Sequence, residues 1–325
     1  MNARPNPLPR DPAALLEHAR SGHRLALARV MSMVERGGDP ARELGALTFA
    51  EAGQAHTVGI TGAPGAGKST LNSALMDVVR GRDQRLAMLA VDPSSPFTGG
   101  AILGDRVRMQ DHVTDDGVYI RSMATRGHLG GLSLATPQAV RVLDALGWPW
   151  VVIETVGVGQ VEVEIAGAAD TTVVVVNPRW GDAVQANKAG LMEIADIFVI
   201  NKADRPGADD TRRDIQQMLE LSTLGSWYPP IVPTVGVDGT GVEELWDHVL
   251  AHREHLAESG ELEERRRQRV EVEFAEILHR SIEARVAVLA DTPVNVELRG
   301  RLATREIDPY AAVDELLRRA DGSLS

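Results

Sequence analysis

Four consecutive valines, Val173, Val174, Val175 and Val176, set the first limit on the fold. A run with no polar face does not suit a half-solvated sheet, so it belongs in a strand covered on both sides. Similar runs recur along the chain, separated by segments whose apolar residues have helical spacing. This pattern predicts strands over 57–61, 86–91, 118–122, 150–154, 171–177, 197–201 and 231–235. Strand–helix alternation of this kind builds an α/β fold, a mostly parallel sheet flanked by helices. Ligands of such sheets sit beyond the carboxyl ends of the strands. The polar motifs of this chain fall at those ends.

The most informative motif directly follows the first apolar run, Thr57-Val-Gly-Ile-Thr61. It reads Gly62, Ala63, Pro64, Gly65, Ala66, Gly67, Lys68, Ser69, Thr70, and a helical pattern carried by Leu71, Leu75 and Val78 comes next. Strand, glycine loop and helix in this order form the P-loop pattern G-x-x-x-x-G-K-[ST] of the P-loop NTPase fold. The glycines let backbone N–H groups close around phosphate oxygens, and the helix N-terminus adds a favourable dipole. Lys68 is expected on the β- and γ-phosphates and the Ser69 hydroxyl on Mg²⁺.

Asn201-Lys202-Ala203-Asp204 ends a later strand and favours guanine over adenine. A carboxylate in the plane of the base, Asp204, accepts from both the N1–H and the exocyclic amine of guanine. Adenine offers no such pair and would leave the carboxylate unpaired. Asn201 is expected to brace the loop and the Lys202 stem to lie on the base. Acids gather at neighbouring strand ends: Asp92, then Asp105 within Gly104-Asp105-Arg106, and Glu154 within Glu154-Thr-Val-Gly157. These carboxylates suit holding Mg²⁺ waters or orienting the attacking water, and the Gly157 N–H suits the γ-phosphate. Lys68, Asp92 and Glu154 are the expected catalytic groups, with Asp92 orienting water, because Gln160 does not directly follow Gly157. Ser69, Asp92, Asp105 and Glu154 are the expected metal set.

The flanks are helical. Residues 1–50 predict a helical extension packed on the main domain, helical from about 11 to 44 through Leu15, Leu16, Leu25, Leu27, Val30 and Met33, with Gly37-Gly38 as its break. Residues 51–250 predict the nucleotide domain. Residues 251–325 predict a charged helical extension, broken at Pro293 and Gly300, with a last helix from about 309 to 319. Its apolar stripe, including Phe274, Ile277, Leu278 and Ile282, either folds back on the core or meets a second copy of itself.

Composition excludes several classes. A formal charge of −12 argues against a general nucleic-acid binder. With no cysteine there are no disulfides, thiolate metal sites or cysteine nucleophiles. No apolar run reaches ~18 residues and the N-terminus lacks a signal-peptide core, so no membrane association and a cytoplasmic location are expected.

The ordered segments V-D-P-S-S-P, G-G-A-I-L-G-D-R-V-R-M, R-S-M-A-T-R-G-H-L-G-G-L, E-T-V-G-V-G-Q, W-G-D-A-V-Q-A-N-K-A-G and N-K-A-D together resemble the MeaB/MMAA-type GTPases. These are chaperones of adenosylcobalamin-dependent methylmalonyl-CoA mutase, and some were once labelled arginine/ornithine transport kinases. The resemblance covers about residues 57 to 246. It implies a homodimer that binds GTP, GDP and Mg²⁺ and gates cofactor loading, protection and reactivation of its mutase. By position, it implies a first switch from Asp92 to Arg108 and a second from Glu154 to about Val163. Asp182, Gln185 and Lys188 match a third switch that reports nucleotide state to the mutase. Thr234, Val235 and Gly236 match the final base-contacting loop, without the common Ser-Ala. Position 179, commonly Gly in the family, is Arg179 here.

Three rival readings stay open on the residues alone. A P-loop kinase acting on a small amino acid or a transport protein would leave N-K-x-D without a purpose. A nickel-delivery GTPase lacks its usual Cys/His site, although His248, His252 and His255 share a helical face that otherwise reads as solvated. A nucleotide-gated scaffold without useful turnover is the third.

Overall fold

The computed structural model describes residues 8–92, 112, 114–124, 135–155, 165, 167–178, 190, 193–222 and 225–321. Seven parallel strands form one sheet: β1 (His56–Gly62), β2 (Leu86–Asp92), β3 (Val118–Ala124), β4 (Trp150–Thr155), β5 (Thr171–Val176), β6 (Ile197–Asn201) and β7 (Ile231–Thr234). Their order is β3-β2-β4-β1-β5-β6-β7. The strand carrying the glycine loop is therefore central, with β4 on one side and β5 on the other.

The apolar runs are explained by two covered faces. Val58, Ile60, Met88, Val152, Val173, Val175 and Val199 point to one side, where α4 (Lys68–Gly81) and α7 (Val242–Ser259) bury Leu71, Leu75, Met76, Val79, Leu245, Trp246 and Val249. The alternate residues Ala87, Leu89 and Val151 meet α1 (Pro12–Arg20), α2 (Arg24–Arg36) and α5 (Ala135–Ala145). Val174, Val176, Phe198 and Ile200 meet α6 (Ala208–Leu221). Val78, expected on the buried stripe of α4, is half-buried, and Met76 and Val79 take its place.

The N-terminal segment is broken once more than its apolar spacing suggested. Ser21 and Gly22 separate α1 from α2, and α3 (Asp39–Phe49) follows the Gly37-Gly38 break. Gly22 adopts φ +90°, which a side chain would oppose. Leu25, read as a core position, is 67% exposed because it lies just past that break, on the outer side of α2. Arg121 of β3 ties α2 to the sheet edge through Glu35 at 2.6 Å.

The amino end of the sheet holds a buried polar chain. His56 Nε2 and His252 Nδ1 each lie 2.8 Å from Thr171 Oγ1. His252 thus points into the core rather than onto the solvated face expected of α7. Asp170 and Asp196 accept from the backbone N–H groups of Thr57 and Thr172, and Arg266 and Arg265 contact the same two carboxylates.

The chain divides into two compact units, Met1–Arg266 and Arg267–Ser325. The division falls within α8 (Glu261–Ala290), a 30-residue helix with no buried residue. In the second unit, α9 (Pro293–Ala303) and α10 (Pro309–Asp321) pair through Arg301–Glu315 at 3.1 Å and Arg319–Glu297 at 3.0 Å. The expected break at Pro293 is present, with α8 ending at Ala290 and Pro293 opening α9 as a first-turn proline, whereas Gly300 lies inside α9 and breaks nothing. Among the described residues no helix is long and apolar enough to cross a membrane.

Candidate functional site

The glycine loop leaves β1 where the backbone has no room for a side chain. Gly62 has φ +133°, and a Cβ there would lie 2.0 Å from the Val175 carbonyl oxygen on the neighbouring strand. Gly67 has φ +93°, and its Cβ would lie 2.4 Å from Asn201 Nδ2. Between these points Ala66 is buried, Ala63 is half-buried, and Pro64 and Gly65 are exposed. Lys68 opens α4, and its Nζ donates to the Gly62 and Ala63 carbonyls, so it curls back over the loop. Among the described residues no side chain caps α4. Its first-turn N–H groups and the positive end of its dipole are thus suited to an anion such as phosphate.

The end of β4 supplies the acid. Glu154 is 1% exposed, and its register with Ile60 and Ala90 sets it between β1 and β2. Ser69 Oγ donates to Glu154 Oε1 at 2.9 Å, and Asn72 Nδ2 donates to Oε2 at 2.8 Å. Carboxylate and hydroxyl oxygens are the hard donors that Mg²⁺ prefers. Ser69 commits its proton to Glu154, which leaves its lone pairs for a cation, so this donor set fits Mg²⁺. Beside it the Thr155 and Thr61 hydroxyls lie 3.0 Å apart, both fully buried.

The other side of the loop is assembled from three segments. Asn201, 2% exposed, donates from Nδ2 to the Ala66 carbonyl at 2.8 Å and the Gly67 carbonyl at 3.3 Å. Its Oδ1 accepts from Thr234 Oγ1 at 3.2 Å and from the Gly236 N–H at 3.1 Å. One amide thus joins the carboxyl end of β6 to the glycine loop and to the loop after β7. Lys202 adopts φ +61° and donates from Nζ to the Gly65 carbonyl at 2.6 Å. Asp204 stands exposed on the following turn. The Val235 N–H donates to the Thr240 carbonyl, which ends the parallel pairing of β7 and turns the loop back.

The structure therefore brings together Lys68, Ser69 and Glu154 on one side of the loop and Asn201, Lys202, Thr234 and Gly236 on the other. Asp92 is the last residue of β2, the strand beside β4. Asp105, Gly157, Arg179, Asp182, Gln185 and Lys188 lie outside the described residues. Asn72 went unread in the sequence. Its only local signal is an amide three positions after Ser69, on a helix whose flanking Leu71 and Leu75 are core.

The family model for the methylmalonyl-CoA mutase-associated GTPase MeaB matches residues 27–291. A protein of Pyrococcus abyssi named as a GTPase is 49% identical over 313 residues, 95% of this chain and 96% of that protein. The mouse methylmalonic aciduria type A homolog, named as mitochondrial, is 37% identical over 214 residues, 64% of this chain and 52% of that protein. A crystal structure of an LAO/AO transport system kinase matches with a TM-score of 0.66 over 95% of this chain and 97% of that one; its 23% identity speaks to the fold alone. With the glycine loop, the N-K-x-D loop and the Ser69–Glu154 pair in one site, the chain belongs to the MeaB family of mutase-associated GTPases, and it is a GTPase.

Proposed function

We propose that the chain is a GTP-hydrolysing chaperone of an adenosylcobalamin-dependent acyl-CoA mutase, methylmalonyl-CoA mutase first among them, acting in the cytoplasm as a homodimer. The carrying observation is the single Asn201 amide that bonds both the glycine loop and the base loop. Through it, guanine contacts and phosphate contacts are mechanically one unit, as a switch protein needs. The family match, whose name refers to methylmalonyl-CoA mutase, supports a mutase as the class of partner.

Phosphoryl transfer to water needs positioning and charge neutralisation more than covalent chemistry. Lys68 and the N–H groups of the glycine loop neutralise the β- and γ-phosphates. Ser69, Glu154, Asp92 and Asp105 are the residues that would hold Mg²⁺, which would supply further neutralisation of the phosphate charge. Asp92 orients the attacking water, and the Gly157 N–H marks the terminal phosphate. Asp204 reads the guanine edge, and the Thr234, Val235 and Gly236 loop closes over it. Asp182, Gln185 and Lys188 report the nucleotide to the mutase. We assign residues 1–50 to a helical extension, 51–250 to the GTPase work and 251–325 to self-association. The last assignment is supported by exposed Phe274, Ile277, Leu278 and Ile282 on a helix with no buried residue.

The test is GTP turnover by the full chain alone and with purified mutase. Stimulation by the mutase is expected, since hydrolysis waits on a partner that orders the switches. Equal rates in the two reactions contradict the gating.

A further inference from the structure

Asn72 is an anomaly on α4. It is 0% exposed, its neighbours Leu71, Leu75 and Met76 are core, and among the described residues nothing donates to its Oδ1. An apolar side chain would suit that place better unless the amide does something. Its Nδ2 does one thing: it donates to Glu154 Oε2 at 2.8 Å. A hydrogen bond to a buried carboxylate is charge-assisted and stronger than a neutral one. The reversed amide would set Oδ1 against the same carboxylate, so the orientation is fixed by charge.

Ser69, three residues earlier on the same helical face, holds the other oxygen at 2.9 Å. Glu154 is thus gripped at two points by one helix, and rotating its carboxylate would break both bonds. We infer that Asn72 is a positioning residue of the GTPase centre. By pinning Oε2 it keeps Oε1 on the Ser69 hydroxyl, so the hydroxyl proton faces Glu154 and the lone pairs face the phosphate side. Without the Asn72 bond the carboxylate loses one of the two contacts α4 makes with it and holds that hydroxyl less firmly. This inference rests on the reading of Ser69 and Glu154 as the Mg²⁺ donors.

The test uses the full chain loaded with a fluorescent GDP analogue, with release rates measured in Mg²⁺ and in EDTA. The readout is the ratio of the two rates. Asn72→Leu removes the grip and the orphaned oxygen together, so the fold is kept. Loss of an outer-shell partner costs about 10- to 100-fold in metal affinity, so the ratio is expected to fall about tenfold or more and to recover partly at higher Mg²⁺. Adding Asn72→Leu to Glu154→Gln should change the ratio no further, because Asn72 acts through Glu154.

Asn72→Ala decides the matter if leucine does not fit: it too removes the bond to Glu154 Oε2, and the ratio is expected to fall as in Asn72→Leu while circular dichroism reports the fold. A wild-type ratio in either folded variant overturns the inference. If the wild-type chain releases the analogue equally fast with and without Mg²⁺, the metal reading itself falls and takes the inference with it.

Discussion

Replacing Asn201 with alanine should loosen both halves of the site at once. The side chain makes four hydrogen bonds, at 2.8, 3.3, 3.2 and 3.1 Å, to Ala66, Gly67, Thr234 and Gly236. A net bond is worth about 0.5–1.5 kcal/mol, and a buried group left unpaired costs more. Three of the four are long, so the lower half of that range applies, and the total comes to about 2–4 kcal/mol. In a nucleotide-binding unit of this size, that lowers the Tm of the nucleotide-free protein by about 5–10 °C. Part of the loss also appears in binding, because the glycine loop must be re-ordered around phosphate; GDP affinity should fall by about tenfold or more. Asn201→Asp keeps the acceptor but turns a carboxylate toward the Ala66 carbonyl, so it should be no better. Calorimetric unfolding and GDP titration of the three proteins measure both effects. If Asn201→Ala matches wild type in both to within about 0.5 kcal/mol, the bracing argument is refuted.

Gly62→Ala must fit a Cβ 2.0 Å from the Val175 carbonyl oxygen at φ +133°; main chain cannot yield there, so a loss of about 4 kcal/mol or more in urea unfolding is expected, and a loss under about 1 kcal/mol contradicts it. Asp204→Asn removes the acceptor for two guanine donors, so GDP affinity should fall by about 100-fold while xanthosine diphosphate gains; unchanged GDP affinity would sink the base assignment. Burial pushes His56 down to about 3 and His252 down to about 4, against the pull of Asp170 and Asp196. Histidines in the unfolded chain titrate near ~6.5, so this contribution is fully present above that pH and is lost as pH falls through about 4 for His252 and about 3 for His56. Urea midpoints should therefore drop more steeply below about pH 6.5 in wild type than in His56→Gln/His252→Gln, and equal slopes contradict the assignment.

The centre of the sheet was legible because β1, β4, β5 and β6 are buried throughout, so burial leaves a nearly unbroken apolar run in the sequence. The strand over 231–235 is one residue shorter than its apolar run because Val235 pairs with Thr240 instead. Helix ends were harder. The turn at Ser21 and Gly22 hides inside a continuous apolar period, and Gly300 sits inside α9 where a break was expected. In the site, the glycine loop and N-K-x-D were readable because both are local patterns, each confined to a few consecutive residues. Asn72 was not, because its meaning comes from Glu154, 82 residues away on another strand. The same holds for His56 and His252, which share the Thr171 hydroxyl. Pairings across a parallel sheet leave no fixed spacing in the chain, so a polar residue in a core position is their one trace.

The most direct measurement is the affinity of the full chain for methylmalonyl-CoA mutase, titrated calorimetrically with the chain bound to GDP and then to a non-hydrolysable GTP analogue. A nucleotide-gated chaperone must bind its mutase differently in the two states, and a coupling of ordinary size gives a difference of about 5- to 150-fold. Equal affinities in the two states, or no binding in either, contradict the account.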